Sequence, residues 1–323
     1  MTHSPELPAV TVVIPCYNQA RFLPAAVASV LDQRYPSVEC LVVNDGSTDD
    51  TSRVASQLGV AVLEQPNQGL SAARNAGLAA ARSELLVFLD ADDALLPGAL
   101  EAAAGTLAAD PAAAAVVGRC QVMDADGNPL PAAHAHVNES RLYEEWLSRN
   151  FVWTPGAAMF RRRALEEMGG FPPGLGPAAD YAVYLRLARD GAVRVIAQDL
   201  VRYRQHDMSM SRDPALMLRA TLAVLRREAA AAGPSWQSSI NRGRHAWCGW
   251  YGEQIVHRLR TDWHAGRRGA SQLRAAATLV RRCPRVAFHH LARKARLTCA
   301  SLWRRCADAW VRVDARLRRR VAP

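Results

Sequence analysis

LLVFLDADD, residues 85–93, sets five apolar residues directly against three carboxylates within four positions. An apolar run of this length, ended sharply by charge, reads as a buried strand whose carboxyl end meets solvent. Three carboxylates at one strand end repel one another, and ionising all of them is costly unless a cation or ligand neutralises the cluster. Carboxylates with open positions suit Mg2+ or Mn2+, ions that also take phosphate oxygens. The competing reading is a solvated turn whose aspartates cap a helix opening near Pro97. The position of the cluster straight after an apolar strand favours the metal.

Upstream, the same alternation repeats. Val10–Ile14 is a β-branched run that stops at Pro15, and residues 21–33 carry apolar side chains at helical spacing. Residues 40–43 form a second strand, and 49–58 suit a helix that Ser47, Thr48 or Asp49 can cap. Residues 60–63 form a third strand and 69–81 an Ala-rich helix. The strand at 85–89 is the fourth. A helix over 97–109 with Pro97 in its first turn and a fifth strand over 113–117 follow. Strand–helix alternation of this kind predicts βαβ units, a parallel sheet and right-handed crossovers. In such sheets ligands bind beyond the carboxyl ends of the strands. There the sequence carries Pro15-Cys16-Tyr17-Asn18, then Asn44-Asp45-Gly46-Ser47, then Asp90-Ala91-Asp92-Asp93. Polar and acidic residues therefore collect on one edge of the sheet, as an active site requires.

Further along, Asp126-Gly127 signals a hairpin. Residues 166–177 are Gly- and Pro-rich and predict a loop over the site, and 180–189 are helical. From Pro214 the pattern is helical to the end, broken near Gly233-Pro234, Gly266–Gly269 and Pro284. Two domains are expected, a sheet domain over 1–210 and a helical region over 211–323. Their charges differ sharply. Residues 1–210 hold 16 basic and 24 acidic side chains, and 211–323 hold 24 basic and 6 acidic. Such asymmetry assigns the two regions different work.

Composition excludes some classes. The seven cysteines are odd in number and form no C-x-x-C pair, which predicts reduced thiols. Residues 1–9 lack a basic start followed by an apolar run, and no stretch of about 18 apolar residues occurs. The expected location is therefore cytoplasmic. Residues 286–320 read as an amphipathic helix, with Trp303 and Trp310 flanking an apolar stripe and Arg on the other faces. That pattern suits an anionic membrane surface, which would place the protein peripherally on the inner membrane face. Packing on the sheet domain is the alternative. Dense Arg also binds phosphate in nucleic acid, but no nucleic-acid motif accompanies it and none is expected as a partner.

The stretches VTVVIPCYNQARFLPAAVASVLDQRYP from residue 10, VVNDGSTDDT from 42, NQGLSAARNAGLAAARSELLVFLDADD from 67 and YRQHDMSMS from 203 resemble the family 2 glycosyltransferases. They come in that family's order and spacing over roughly residues 8–210. The resemblance implies a GT-A fold, a Rossmann-like and mostly parallel sheet flanked by helices, here with a C-terminal helical extension. It implies an inverting sugar transfer from a nucleoside diphosphate sugar to a hydroxyl of a glycan or lipid-linked acceptor, in polysaccharide or glycolipid synthesis.

Site residues follow from the same resemblance. Tyr17 falls where the family stacks a ring on the base, with Pro15 and Asn18 beside it. Asp45 falls where a carboxylate accepts from a uracil-type N–H, which favours UDP, and Asn44 replaces an Asp often found next to it. Arg74 lies near the nucleotide, Asp90, Ala91 and Asp92 near the diphosphate. Asp92, Asp93 and His206 are the expected ligands of Mn2+ or Mg2+. Asp180 is the expected catalytic base, in a position where the family has a Glu-Asp pair and this chain has Ala179-Asp180. Trp153 and the Gly156-Ala157 turn are expected to line the acceptor pocket. Two other classes compete: a nucleotidyltransferase, which needs a phosphate-gripping loop that residues 15–21 do not offer, and a non-catalytic nucleotide-sugar-binding scaffold.

Overall fold

A computed structural model of the chain describes residues 7–132 and 136–293. It divides into two compact units, Met1–Trp247 and Cys248–Pro323. The first unit opens with β1 (Val10–Cys16), α1 (Leu23–Leu31), β2 (Val38–Asp45), α2 (Thr51–Gln57), β3 (Ala61–Gln65), α3 (Leu70–Ala80) and β4 (Leu85–Phe88). These four strands are mutually parallel in the order β3-β2-β1-β4. The chain steps outward from β1 to β3 and then returns across β1 to β4. Right-handed crossovers therefore put α3 on the face opposite α1 and α2, and strand order reverses between β1 and β4. The expected binding crevice is at that reversal.

The second half of the sheet is mixed. It contains β5 (Ala94–Leu95), α4 (Ala99–Ala109), β6 (Ala115–Met123), β7 (Pro129–Leu130), α5 (Leu142–Ser148), β8 (Ala158–Arg161), α6 (Arg162–Glu167), α7 (Ala179–Arg189) and β9 (Val193–Arg204). The fifth expected strand does form, as β6, but it does not pair with β4. Strand β8 inserts between them, antiparallel to both. Beyond β6, β9 is parallel and β5 antiparallel. The hairpin expected at Asp126-Gly127 joins β6 to β7, with Gly127 at φ 92°. The architecture is thus an α/β sheet with flanking helices, parallel on its N-terminal side and mixed beyond β4.

Three local readings shift. Pro15 does not end β1, which continues to Cys16 against Asn44. Pairing with β4 stops at Val13, whose carbonyl accepts from Leu89. Residues alternate sides along a strand, so the absent N–H of Pro15 points to the unpaired β4 side, where no ladder bond is lost. Pro97 lies before α4 rather than in its first turn, with Gly98 at φ 76° between them. Of residues 166–177, expected as a loop over the site, 166 and 167 close α6 and the rest packs on α3: the Asn75 side-chain amide donates to the Phe171 carbonyl at 2.9 Å, and its oxygen accepts from Phe171 N at 2.7 Å.

Helix α3 sits unusually close to the sheet. A Cβ on Gly77 would lie 2.2 Å from Cγ1 of Val13 on β1, so only a residue without a side chain allows this approach.

After β9 come α8 (Pro214–Ala231), α9 (Gln237–His264) and α10 (Ala270–Arg282). The breaks fall where Gly and Pro predict them. The compact first unit runs past the expected boundary at 210. Glu228 of α8 is buried and accepts from the Tyr143 hydroxyl of α5 and from Arg189 of α7, each at 2.8 Å. Trp247 donates to the Leu147 carbonyl at 3.0 Å. Among the described residues no helix is long and apolar enough to cross a membrane. The stripe expected over 286–320 lies mostly outside the described residues.

Candidate active site

Burial fixes the strand ends first. Val87 and Phe88 are buried on both faces of the sheet, and the chain then turns so that Asp93 N donates to the Asp90 carbonyl at 3.0 Å. Ala91 is buried in this turn. A turn this tight cannot aim three successive acids the same way, and they separate. Asp90 faces Arg74, whose Nη2 lies 2.8 Å from its Oδ1. Asp92 faces His206, with Oδ2 to Nε2 at 2.8 Å. Asp93 turns inward.

Asp93, expected among the metal ligands, is placed otherwise. Only 1% of its surface is exposed. The Thr154 hydroxyl donates to its Oδ2 at 2.6 Å, and Arg204 N donates to its Oδ1 at 2.8 Å. Burial, then the charges of Asp92 and Asp90, push its carboxyl well above the usual carboxylate range. It ties the turn to β9 and to the segment before β8. Burial and the neighbouring Asp90 charge also raise Asp92, opposed by the His206 bond.

His206 reaches Asp92 because β9 brings the chain back past β5. The Arg204 guanidinium donates through Nε to the Asp92 carbonyl at 2.8 Å, and it lies 5.1 Å from the Phe22 ring. The His206 ring packs on the same Phe22 at 5.0 Å. Phe22, Arg204 and Thr154 thus hold the acidic turn; the first two fall inside the stretches that resemble the family, where the sequence assigns them no role, and Thr154 falls outside them. Arg204 stands two residues before His206, which is the one available hint that both serve the same side of β9.

The strand ends beside this turn are occupied largely by the protein itself. Asp45 is buried at the end of β2 and accepts from Gln65 Nε2 at 2.7 Å, Gln68 N at 2.9 Å and Gly69 N at 2.8 Å. It therefore shapes the loop that leads into α3. Asn44 donates to Ser52 and Glu64, each at 2.7 Å, behind that loop. Asn18 adopts φ 54°, a left-handed conformation that Asn tolerates, and its side-chain oxygen accepts from Thr48 N at 2.7 Å. Tyr17 is 46% exposed at the end of β1, so its ring is free to stack on a planar ligand.

Arg74 is the connecting element. It is buried on α3, over the Phe171 ring at 5.3 Å, and its Nε has no hydrogen-bond partner among the described residues. Burial disfavours its charge, but Asp90 and Asp180 more than compensate, so its pKa is raised. Asp180 opens α7, buried, and accepts from Tyr181 N at 2.8 Å. Burial pushes its carboxyl up to about 6, restrained by Arg74. A carboxylate at that pKa is ionised near neutrality yet still a competent proton acceptor. Ala179, where the resemblance has a Glu, is fully buried and offers the site no polar atom. Trp153 is partly exposed, whereas Gly156 and Ala157 are buried, with a Cβ on Gly156 lying 3.0 Å from Leu89 and Val201. That turn packs against Leu89, next to the acidic loop, and Gly156 lines only a small apolar cavity with Val87, Leu95 and Leu200.

The family model described as Glycosyl transferase family 2 matches residues 11–169. These include the ends of β1, β2 and β4, Arg74 and the whole acidic turn, but not the end of β9. Over residues 11–169 the chain is therefore similar to glycosyl transferase family 2. Asp180 and His206 lie C-terminal to the matched stretch. An uncharacterized glycosyltransferase of Nostoc sp. is 33% identical over 217 residues, 61% of this chain and 65% of the relative. The chain thus spans just under two thirds of that relative's length. Among solved structures, S. aureus TarS 1–349 in complex with UDP-GlcNAc superposes with a TM-score of 0.59 at 16% identity, over 86% of this chain and 82% of that one. The mannosyltransferase PcManGT from Pyrobaculum calidifontis, in complex with GDP-Man and Mn2+, gives 0.52 at 22% identity, over 90% and 81%. At these identities the likeness is one of fold. The sheet and its flanking helices are therefore shared with these solved structures.

Proposed function

We propose that the chain transfers a sugar, with inversion, from a nucleoside diphosphate sugar to a hydroxyl of a glycan or lipid-linked acceptor. The observation that carries this reading is the buried Arg74 guanidinium, which pairs with Asp90 at 2.8 Å and whose charge also restrains the carboxyl of Asp180. It couples an acidic turn suited to a diphosphate with a carboxylate suited to accept a proton. In the displacement, Asp180 takes the proton from the acceptor hydroxyl as its oxygen bonds to the anomeric carbon and the nucleoside diphosphate leaves. Arg74 holds Asp180 ionised and counters charge at Asp90. Tyr17 stacks on the base. Asp45 has accepting capacity beyond its three internal donors, since a carboxylate offers about four lone-pair positions. An imide N–H is the donor that fits it, which favours UDP.

A divalent cation belongs to this reading. Among the described residues no group of three or more His, Cys, Asp or Glu side chains converges to hold one unaided. The fit rests on Asp92 and His206, an oxygen and a nitrogen donor already in contact, with phosphate oxygens completing the shell. That donor pair suits Mn2+ better than Mg2+. Such an ion supplies positive charge to the leaving diphosphate.

Titration calorimetry with UDP, GDP and dTDP in Mn2+, with and without chelator, tests the donor site. Chelator-sensitive UDP binding that disappears in Asp92→Ala supports it. A folded protein that binds no nucleotide would turn the reading toward a scaffold. A lipid-linked acceptor would further require work at a membrane surface, the inner face in the cytoplasmic setting expected here.

A further inference from the structure

The second unit carries an apolar stripe that the catalytic reading does not use. On α10, Leu273, Ala277 and Val280 are exposed and recur at spacings of four and three. The helix breaks at Cys283, and residues 284–293 are helical again. Pro284, Phe288 and Leu291 then repeat the same spacing, also exposed. Exposure reaches 74% at Leu273, 58% at Val280, 73% at Phe288 and 66% at Leu291. Large apolar side chains exposed at helical period mark a contact surface. Two tryptophans of the same unit, Trp250 and Trp263, are also exposed, and the Arg268 guanidinium lies 4.0 Å from the Trp263 ring.

Charge selects the partner. Residues 248–293 contain nine arginines against two carboxylates, Glu253 and Asp262. Both carboxylates have partners within the unit, Glu253 with His290 at 2.9 Å and Asp262 with Arg267 and Gln272, each at 2.9 Å. Counter-charge for most of the arginines must come from outside. The remaining segment, 294–323, holds nine basic residues and two acidic ones, so it brings no surplus of negative charge. A second copy of the chain would bring the same basic unit together with the net acidic residues 1–210, and self-association is therefore one outcome of the test. An anionic partner that also accepts inserted apolar side chains matches both features, and an anionic lipid surface has this combination.

We propose that the apolar stripe of residues 273–291, flanked by arginine, docks the enzyme on an anionic bilayer surface. Phe288, Leu291, Leu273 and Val280 enter the headgroup–acyl boundary while arginines pair with lipid phosphates. The inference deepens the lipid-linked acceptor reading and rests on it for its purpose, but binding itself needs no donor, acceptor or turnover.

The test is co-sedimentation of the full chain with vesicles of phosphatidylcholine alone or with phosphatidylglycerol, at low and high salt and without nucleotide. Binding should require phosphatidylglycerol and weaken as salt rises. Val280→Ser with Phe288→Ser should lower the partition coefficient by about tenfold or more. Leu273→Ser provides a second variant on the other helix. Each variant is checked for an unchanged thermal midpoint. Nucleotide calorimetry on the same preparations separates a failure here from a failure of the donor-site reading. The proposal is overturned if the parent ignores anionic vesicles at low salt, or if the stripe variants bind as well as the parent. It is equally overturned if the stripe variants abolish self-association in sedimentation velocity while leaving vesicle binding intact.

Discussion

Arg74 Nη2 lies 2.8 Å from Asp90 Oδ1, in a guanidinium whose electrostatic partners also include Asp180. Replacing Arg74 with Met leaves both carboxylates without their cation. Removing one partner of a buried pair costs ~3–5 kcal/mol, and the lower part of that range applies because Asp90 is partly exposed. Asp180, already raised to about 6, should rise further, since Arg74 is what restrains it. The acid limb of the pH–rate profile of Arg74→Met should therefore sit at higher pH than in the parent. Arg74→Lys should restore part of the stability but not the planar stacking over Phe171. An unchanged acid limb in Arg74→Met would remove the coupling between Arg74 and Asp180.

Asp180 itself gives a two-part prediction. As proton acceptor it must be ionised, so turnover should fall about tenfold per pH unit below about pH 6. Asp180→Asn should lower kcat by roughly 10²–10⁴ while leaving nucleotide binding intact. Stability should move the other way. The folded-state pKa is raised above the usual carboxylate value, so the folded state prefers the protonated form. Stability from this group is present at low pH and lost as pH rises from about 4 through about 6. Asp180→Asn should remove that loss. A thermal midpoint at pH 8 below that of the parent would argue against a strained, buried carboxylate.

The contrast between legible and hidden features is physical. A strand ending in charge can be read from sequence, because burial and solvation change at one residue. Val10–Cys16, Val38–Asp45 and Leu85–Phe88 all appear where apolar runs meet polar clusters. The insertion of β8 between β4 and β6 cannot be read this way. Ala158–Arg161 is a four-residue run whose pairing with Leu85–Val87 is set by contacts more than 70 positions away. The direction of each aspartate is equally hidden. Asp90, Asp92 and Asp93 look equivalent in LLVFLDADD, yet their partners sit on α3, at the end of β9 and beside β8. Pro15 misleads for a related reason. A missing donor ends a strand only where a neighbour needs it, and β4 has already stopped pairing there.

Asp92 and His206 should act together in metal-dependent binding. Asp92→Asn and His206→Gln should each lose the chelator-sensitive part of UDP binding, measured by calorimetry, while the fold persists. If either variant keeps full chelator sensitivity, that residue does not hold the cation.

Asp93 should behave differently from Asp92. Its oxygens take the Thr154 hydroxyl and Arg204 N, so its carboxyl holds structure. Asp93→Ala leaves a buried N–H and a buried hydroxyl unpartnered, each costing ~1–3 kcal/mol. Urea unfolding should show that loss, and Thr154→Val should show a smaller one. At temperatures where the variants remain folded, chelator-sensitive UDP binding should survive. Loss of metal dependence in Asp93→Ala with unchanged stability would return it to the ligand set.

Gly77 offers the most direct link between packing and site. Alanine is the better helix former by ~1 kcal/mol, so on propensity alone Gly77→Ala would stabilise α3. The new methyl would meet Val13 Cγ1 at 2.2 Å, which no real contact tolerates. Helix and strand must separate, and overpacking of this kind costs ~1–3 kcal/mol. The clash should win, giving net destabilisation in urea unfolding. Val13→Ala removes the atom that is struck and loses buried area of its own. The double variant should therefore be more stable than the sum of the single effects predicts, with a favourable coupling measured by a double-mutant cycle. Because Arg74 lies one turn before Gly77 on α3, the same separation should shift Arg74 from Asp90 and lower turnover in Gly77→Ala. Turnover should recover in the double variant. Recovery of stability without recovery of turnover would show that the height of α3 above β1 does not control the site.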